Sequence, residues 1–175
     1  PTFGDNLKYF FHYQLRYMYW RYFMWNFAGR QDDLQGTPGN ERMNGDWLSG
    51  ISVVDNMHLS GTQEGLPDVL LKEKARNNFY LLPLILGLIG LIYMYQKNKQ
   101  QTIVFGLLFF VTGIALIIYT NQPPREPRER DYVLVGSFYT FCIWIGLAVV
   151  AIFDFLRKKL PAVPIAIGIT VICLF

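Results

Sequence analysis

Asn121-Gln122-Pro123-Pro124-Arg125-Glu126-Pro127-Arg128-Glu129-Arg130-Asp131-Tyr132 carries three arginines, three acids and three prolines, and its flanks decide the fold. Thr102 to Thr120 on one side and Tyr132 to Phe153 on the other contain no Asp, Glu, Lys, Arg or His. Each run is long enough to cross a bilayer, since about 20 apolar helical residues span the hydrocarbon core. A third uncharged run, Phe79 to Tyr95, precedes them, and Pro83 either kinks it or marks its true start. A fourth opens at Pro161 and Pro164 and stops at Phe175. As a helix it would rise only about 22 Å against a core of roughly 30 Å, which predicts a piece of a longer membrane protein.

The expected fold class is therefore all-α. It is a multipass helical membrane protein with spans at about 79–96, 102–120, 132–153 and 161–175, the last truncated. Gly87 and Gly90, Gly106 and Gly113, and Gly136 and Gly146 are expected to let these helices approach closely. Composition agrees: 52% of the 175 residues are hydrophobic and 17% aromatic, and the apolar residues fall in blocks. The net charge of +3 arises from opposite charges lying close together, so no nucleic-acid partner is expected. Cys142 and Cys173 sit within apolar runs and read as small buried hydrophobes.

Before the first run, residues 9–27 (YFFHYQLRYMYWRYFMWNF) hold eleven aromatics in nineteen positions and no Pro or Gly. A helix is expected, lying at the membrane interface or packed under other membrane helices. His12 and Arg16 form one polar stripe on it, Gln14 and Arg21 another. A full crossing is disfavoured because Arg16 and Arg21 would both lie near its middle. From Ala28 to Pro67 glycines punctuate an irregular extramembrane segment. Within it, Asp46 to Val54 is either a short helix begun by an Asp cap or an extended piece. Pro67-Asp68 then opens a short charged helix through Arg76. Residues 1–78 form one region and 79–175 the membrane region. Lys and Arg counts on the two sides of the membrane nearly balance, and orientation turns on the loop arginines being held by acids or a ligand. That places residues 1–78 and 121–131 outside the cytoplasm.

By composition the charged loop reads first as a surface turn, its arginines paired with Glu126, Glu129 and Asp131, and Asp131 capping the helix that follows. The alternative is phosphate recognition, for which guanidinium forks are well shaped and prolines pre-set the backbone. The aromatic segment reads first as an interfacial anchor. Its alternative is a site lined by Arg21, Asn26 and Arg30 where a sugar or acceptor meets the membrane surface. His12 reads as a packing residue. No His/Cys spacing suits a metal, no cofactor is expected, and neither a phosphate-cradling Gly-rich loop nor a nucleophile elbow is present.

Tyr19-Trp20-Arg21-Tyr22-Phe23-Met24-Trp25-Asn26-Phe27-Ala28-Gly29-Arg30-Gln31-Asp32 and Pro127-Arg128-Glu129-Arg130-Asp131-Tyr132, with Trp47-Leu48-Ser49-Gly50-Ile51 and Leu82-Pro83-Leu84, carry a family resemblance. Over roughly Tyr9 to Phe155 the chain resembles a family of large bacterial multipass proteins known as a domain of unknown function. That family is related to protein O-mannosyltransferases of the GT-C membrane glycosyltransferase class. The resemblance implies a lipid-phosphate-linked sugar donor, transfer of the sugar (mannose in the related enzymes) to a Ser or Thr hydroxyl of an acceptor protein, and a bacterial inner membrane. It shifts the loop toward donor binding by Arg125, Arg128 and Arg130, with Glu129 and Asp131 orienting them. Two departures limit the transfer of roles. Asp32 stands where the family has Asn, and nothing matches the early-loop catalytic acid of GT-C enzymes, so the implied general base lies outside this chain.

Two other functions stay open at this stage, a transporter segment and a non-catalytic membrane scaffold. Ion-coupled transport is disfavoured because the complete runs carry no ionisable group near the midplane.

Overall fold

The computed structural model describes residues 2–34, 45–59, 63, 65–123 and 131–157, and at Asp131 the backbone alone. Arg125, Arg128, Glu129 and Arg130 lie outside the described residues, as do Cys173 and the expected fourth run.

The chain begins with one long helix, α1 (3–27), opened by a reciprocal cap: Thr2 accepts from the Asp5 amide and Asp5 accepts from the Thr2 amide. From Tyr9 to Arg21 its backbone widens into a π-helix of 13 residues before returning to α-helical form at Tyr22. π-Helical turns are rare and concentrate at functional sites. The widened ladder brings side chains four apart into register. Tyr9 stacks on Tyr13 at 5.0 Å and Tyr13 on Tyr17 at 5.7 Å, and the Arg21 guanidinium lies 4.4 Å above the Tyr17 ring.

A small irregular unit with two short strands follows. β1 (Gly29–Arg30) pairs antiparallel with β2 (Asn77–Asn78), and Arg30 also bridges to Trp47. Gly29 is required at the crossing: its φ is +130°, and a β-carbon there would stand 2.3 Å from the Leu48 carbonyl oxygen and 2.5 Å from that of Asn77. The 46–54 segment resolves into both of its alternatives, extended at Trp47 and helical in α2 (Ser52–His58). Asp46 does not cap that helix. The organising carboxylate is Asp55, which accepts from the Ser49 and Gly50 amides and the Ser49 hydroxyl at 2.8–2.9 Å. The expected helix from Pro67 to Arg76 is a single turn, α3 (Asp68–Leu71), because the chain must extend again to reach β2.

Three apolar helices complete the fold: α4 (Leu82–Lys97), α5 (Lys99–Thr120) and α6 (Asp131–Arg157). Pro83 marks the true start of α4, after Tyr80 and Leu81 turn through left-handed conformations. α5 and α6 are long and apolar enough to cross a membrane. α4, with 16 residues, rises about 24 Å and falls short of that test. The described chain is thus mostly helical, with two helices of membrane-spanning length where the sequence suggests three complete runs.

α4 and α6 run parallel, their contacts rising in step from Gly87–Phe141 to Gly90–Trp144. A β-carbon on Gly90 would lie 1.7 Å from the Trp144 carbonyl oxygen, so the two backbones touch there. Gly113 and Gly136 are also packed, against Tyr19 and Ser137 and against Thr112. Gly106 and Gly146 meet nothing within 4 Å among the described residues, so the close approach expected of them is not seen there. Cys142 likewise is exposed on α6, a correction to its reading as a buried residue.

The aromatic face of α1 seals the centre. Phe23 and Phe27 meet Phe141 at 4.8 and 4.5 Å, and Phe109 meets Trp144 at 5.3 Å. The edge-to-face pairs of Phe23 and Phe27 with Phe141 contribute about 0.5–1.5 kcal/mol each beyond area burial. Of the two placements expected for the aromatic segment, α1 adopts packing against other helices. Among the described residues 11% of the apolar stretch of α5 is buried, which is compatible with a lipid-facing surface.

Candidate functional site

α1 presents its other face to the unit that carries β1 and β2, and between them lies a cleft of about 190 Å³. The four-residue spacing that stacks the tyrosines also aligns His12, Arg16 and Trp20 in a neighbouring column, which forms one wall with Tyr17 and Arg21. Asp46, Trp47 and His58 form the other.

Arg21 is buried, held by its Nη1, which donates to the Gly45 carbonyl at 2.5 Å, and by its Nε, which donates to the Tyr17 carbonyl. Burial pushes its guanidinium below the ordinary arginine range, opposed by Tyr17, Asp46, Tyr22 and Asp32. An arginine stays protonated through such a shift. It is therefore a fixed positive charge at the cleft base, anchored to the segment that carries Asp46. Asp32 braces the same segment, accepting from the Gly45 and Leu34 amides. Burial raises its carboxyl, and those two amides oppose the rise.

On the far wall, Trp47 and His58 stack face to face with centroids 3.6 Å apart. The two nitrogens of His58 approach the Val54 and Trp47 carbonyl oxygens at 3.1 and 2.9 Å, which locks the ring against the tryptophan. Across from it, His12, Arg16 and Trp20 are exposed, and Trp20 presents half of its surface. The cleft thus offers one buried and one exposed guanidinium, a carboxylate, two imidazoles and two indoles. A phosphate suits the arginines. The apolar C–H face of a sugar ring suits an indole, and its hydroxyls suit Asp46.

Of the site residues expected from sequence, the structure brings Arg21 into this cleft. Asn26 and Arg30 do not line it. The Asn26 amide donates to the Tyr22 carbonyl one turn back, while Arg30 lies 4.5 Å over the Trp25 ring and 3.9 Å from Asp33. Asp131 begins α6, as its place in the sequence suggests. His12 lines the cleft instead of packing among aromatics. Sequence reasoning missed Arg16 and Trp20 as site residues, although the four-residue spacing of His12 and Arg16 was legible. Asp46, Trp47 and His58 carry no local signal and arrive by tertiary folding. Among the described residues no group of His, Cys, Asp and Glu could hold a metal.

α1 also reaches the base of the charged loop. The Tyr9 hydroxyl donates to the Gln122 carbonyl at 3.1 Å and the Gln14 amide donates to the Asn121 side chain at 2.9 Å. His12 sits between these two tethers in sequence, so the loop departs from the same stretch of helix that walls the cleft.

Compared with known proteins, the chain matches no family model, and no curated protein or solved structure is similar to it.

Proposed function

We propose that this chain is part of a multipass membrane protein whose cleft binds the phosphate and sugar of a lipid-phosphate-linked sugar at the membrane surface. The observation that carries the reading is the cleft itself, on a helix whose other face packs against two helices of membrane-spanning length. A lipid-linked donor needs this arrangement, with cations and an aromatic platform beside an apolar wall. Arg16 and Arg21 meet the phosphate, Trp20 stacks on the sugar and Asp46 takes its hydroxyls. Arg125, Arg128 and Arg130, with Glu129 and Asp131 orienting them, are the further donors to the phosphate in this reading, and all but the Asp131 backbone lie outside the described residues. The reaction is GT-C-like transfer of the sugar, mannose in the first instance, to a Ser or Thr hydroxyl of an acceptor protein. The general base comes from outside this chain, and the site faces away from the cytoplasm of a bacterial inner membrane.

The test is binding of radiolabelled polyprenyl-phosphate-mannose to the full-length protein in nanodiscs. Arg16→Gln and Trp20→Ala should each weaken binding about tenfold, in line with one lost charge-assisted hydrogen bond or one lost ring contact. Wild-type affinity in both variants, with thermal stability retained, refutes the reading.

A further inference from the structure

The far end of the helices carries a second feature. α4 and α6 run parallel away from the unit that carries β1 and β2, and Lys97 at the end of α4 and Arg157, the last described residue of α6, line one cleft. Between them opens a cleft of about 650 Å³ whose floor is apolar, with Ile89 and Ile92 exposed along α4. Asp154 is the acid in its lining, and the Tyr93 hydroxyl donates to it at 2.6 Å. Lys97 stands farther off, 3.5 Å from that carboxylate, with its side chain 62% exposed. Two cations therefore face one carboxylate that a phenol already engages, which leaves ammonium and guanidinium donors for an anion. A cation at each helix C-terminus is expected from the backbone dipole alone. The dipole does not account for the apolar groove running below the pair.

The geometry points to a binding site for an anionic phospholipid, its phosphate on Lys97 and Arg157 and an acyl chain along Ile89 and Ile92. Charge complementarity selects this occupant, because basic clefts at the ends of membrane helices take up anionic headgroups and an adjacent apolar groove takes up a chain. The Tyr93–Asp154 bond ties α4 to α6 beneath the headgroup. The inference rests on the membrane-spanning reading of the helices and is independent of the sugar-phosphate reading of the other cleft.

Native mass spectrometry of the full-length protein, released from micelles containing equal phosphatidylglycerol and phosphatidylcholine, tests it. The wild type should retain phosphatidylglycerol selectively. Lys97→Gln with Arg157→Gln should lower that retention about tenfold while phosphatidylcholine is unchanged. Asp154→Asn, which removes the competing carboxylate, should raise it. Equal retention of the two lipids, undiminished phosphatidylglycerol on the double variant, or full displacement by millimolar inorganic phosphate would each overturn the site. Alkaline carbonate extraction of membranes separates the two levels. Release of the protein from the membrane overturns the spanning reading as well, whereas a retained protein with no lipid preference overturns the site alone.

Discussion

Gly90→Ala places one methyl group where α4 meets α6. The new carbon would stand 1.7 Å from the Trp144 carbonyl oxygen, 2.6 Å from its carbonyl carbon and 3.0 Å from the Ala148 nitrogen. All three are backbone atoms, so no rotamer change relieves the clash. Non-bonded heavy atoms settle at about 3.5–4.0 Å, so the helices must separate by about 2 Å. Overpacking of a tight contact costs about 1–3 kcal/mol, and a displacement of this size against backbone belongs at the upper end. Alanine returns about 1 kcal/mol through helix propensity. The net loss of about 2 kcal/mol corresponds to a fall of about 4–8 °C in the melting temperature of a chain this long. Gly146→Ala supplies the control, since nothing lies within 4 Å of its β-carbon position. There the propensity gain stands alone and should raise the melting temperature by about 2–4 °C. Thermal unfolding in detergent, followed by tryptophan fluorescence, reads both, because Trp144 sits at the contact. Equal shifts in the two variants would refute the parallel α4–α6 packing.

Other perturbations probe the unit that carries β1 and β2 and its seam with the helices. Asp55→Ala strands the Ser49 and Gly50 amides and the Ser49 hydroxyl, at about 1–3 kcal/mol for each buried donor left unpaired. Hydrogen exchange at Ser49 and Gly50 should accelerate at least tenfold, and unchanged protection would remove Asp55 from its organising role. Tyr19→Phe deletes the 2.7 Å bond between the Tyr19 and Ser137 hydroxyls and should destabilise by about 1 kcal/mol. Burial holds that phenol neutral, with its pKa pushed up to about 12, so the loss should be the same at pH 7 and pH 9. Asp32 has a raised carboxyl, so the folded state binds its proton more tightly than the unfolded chain does. Its contribution to stability therefore increases as pH falls through the raised pKa and levels off below the ordinary carboxylate range. Relative to Asp32→Asn, the wild type should gain stability between pH 7 and pH 4, and a relative loss would show that the carboxylate form is the favoured one.

The apolar runs were legible because an uncharged stretch of that length has few other uses, whereas Pro83 left a kink and a helix start equally open, and the structure makes it the start of α4. The helicity of the aromatic segment could also be read, from its lack of breakers. Its π-helical widening could not, since the same residues satisfy either hydrogen-bond ladder and the choice is settled by what packs on both faces. The glycines show the limit most clearly. Gly90 and Gly146 look alike in sequence, yet one is pressed against a backbone and the other meets nothing within 4 Å among the described residues. The cleft was half legible. Arg21 and the His12–Arg16 spacing lie on one helix, but the opposite wall comes from residues about thirty positions away. Those are brought in by the Arg30–Trp47 bridge and the Arg21–Gly45 bond, contacts that leave no periodic trace in the chain.

The widened stretch from Tyr9 to Arg21 makes the length of α1 a phase setting. Each residue of a helix advances the side-chain direction by a fixed angle, about 100° in the α form and less in the wider π form, so deleting one residue would rotate everything before it relative to everything after. Substitutions along this helix change one contact at a time. A single-residue deletion would instead detach Tyr9 and Gln14 from the loop base and turn His12 out of the cleft together, while Phe23 and Phe27 kept their seats. Related chains should therefore vary in residue identity here while holding the count between Tyr9 and Phe23 constant.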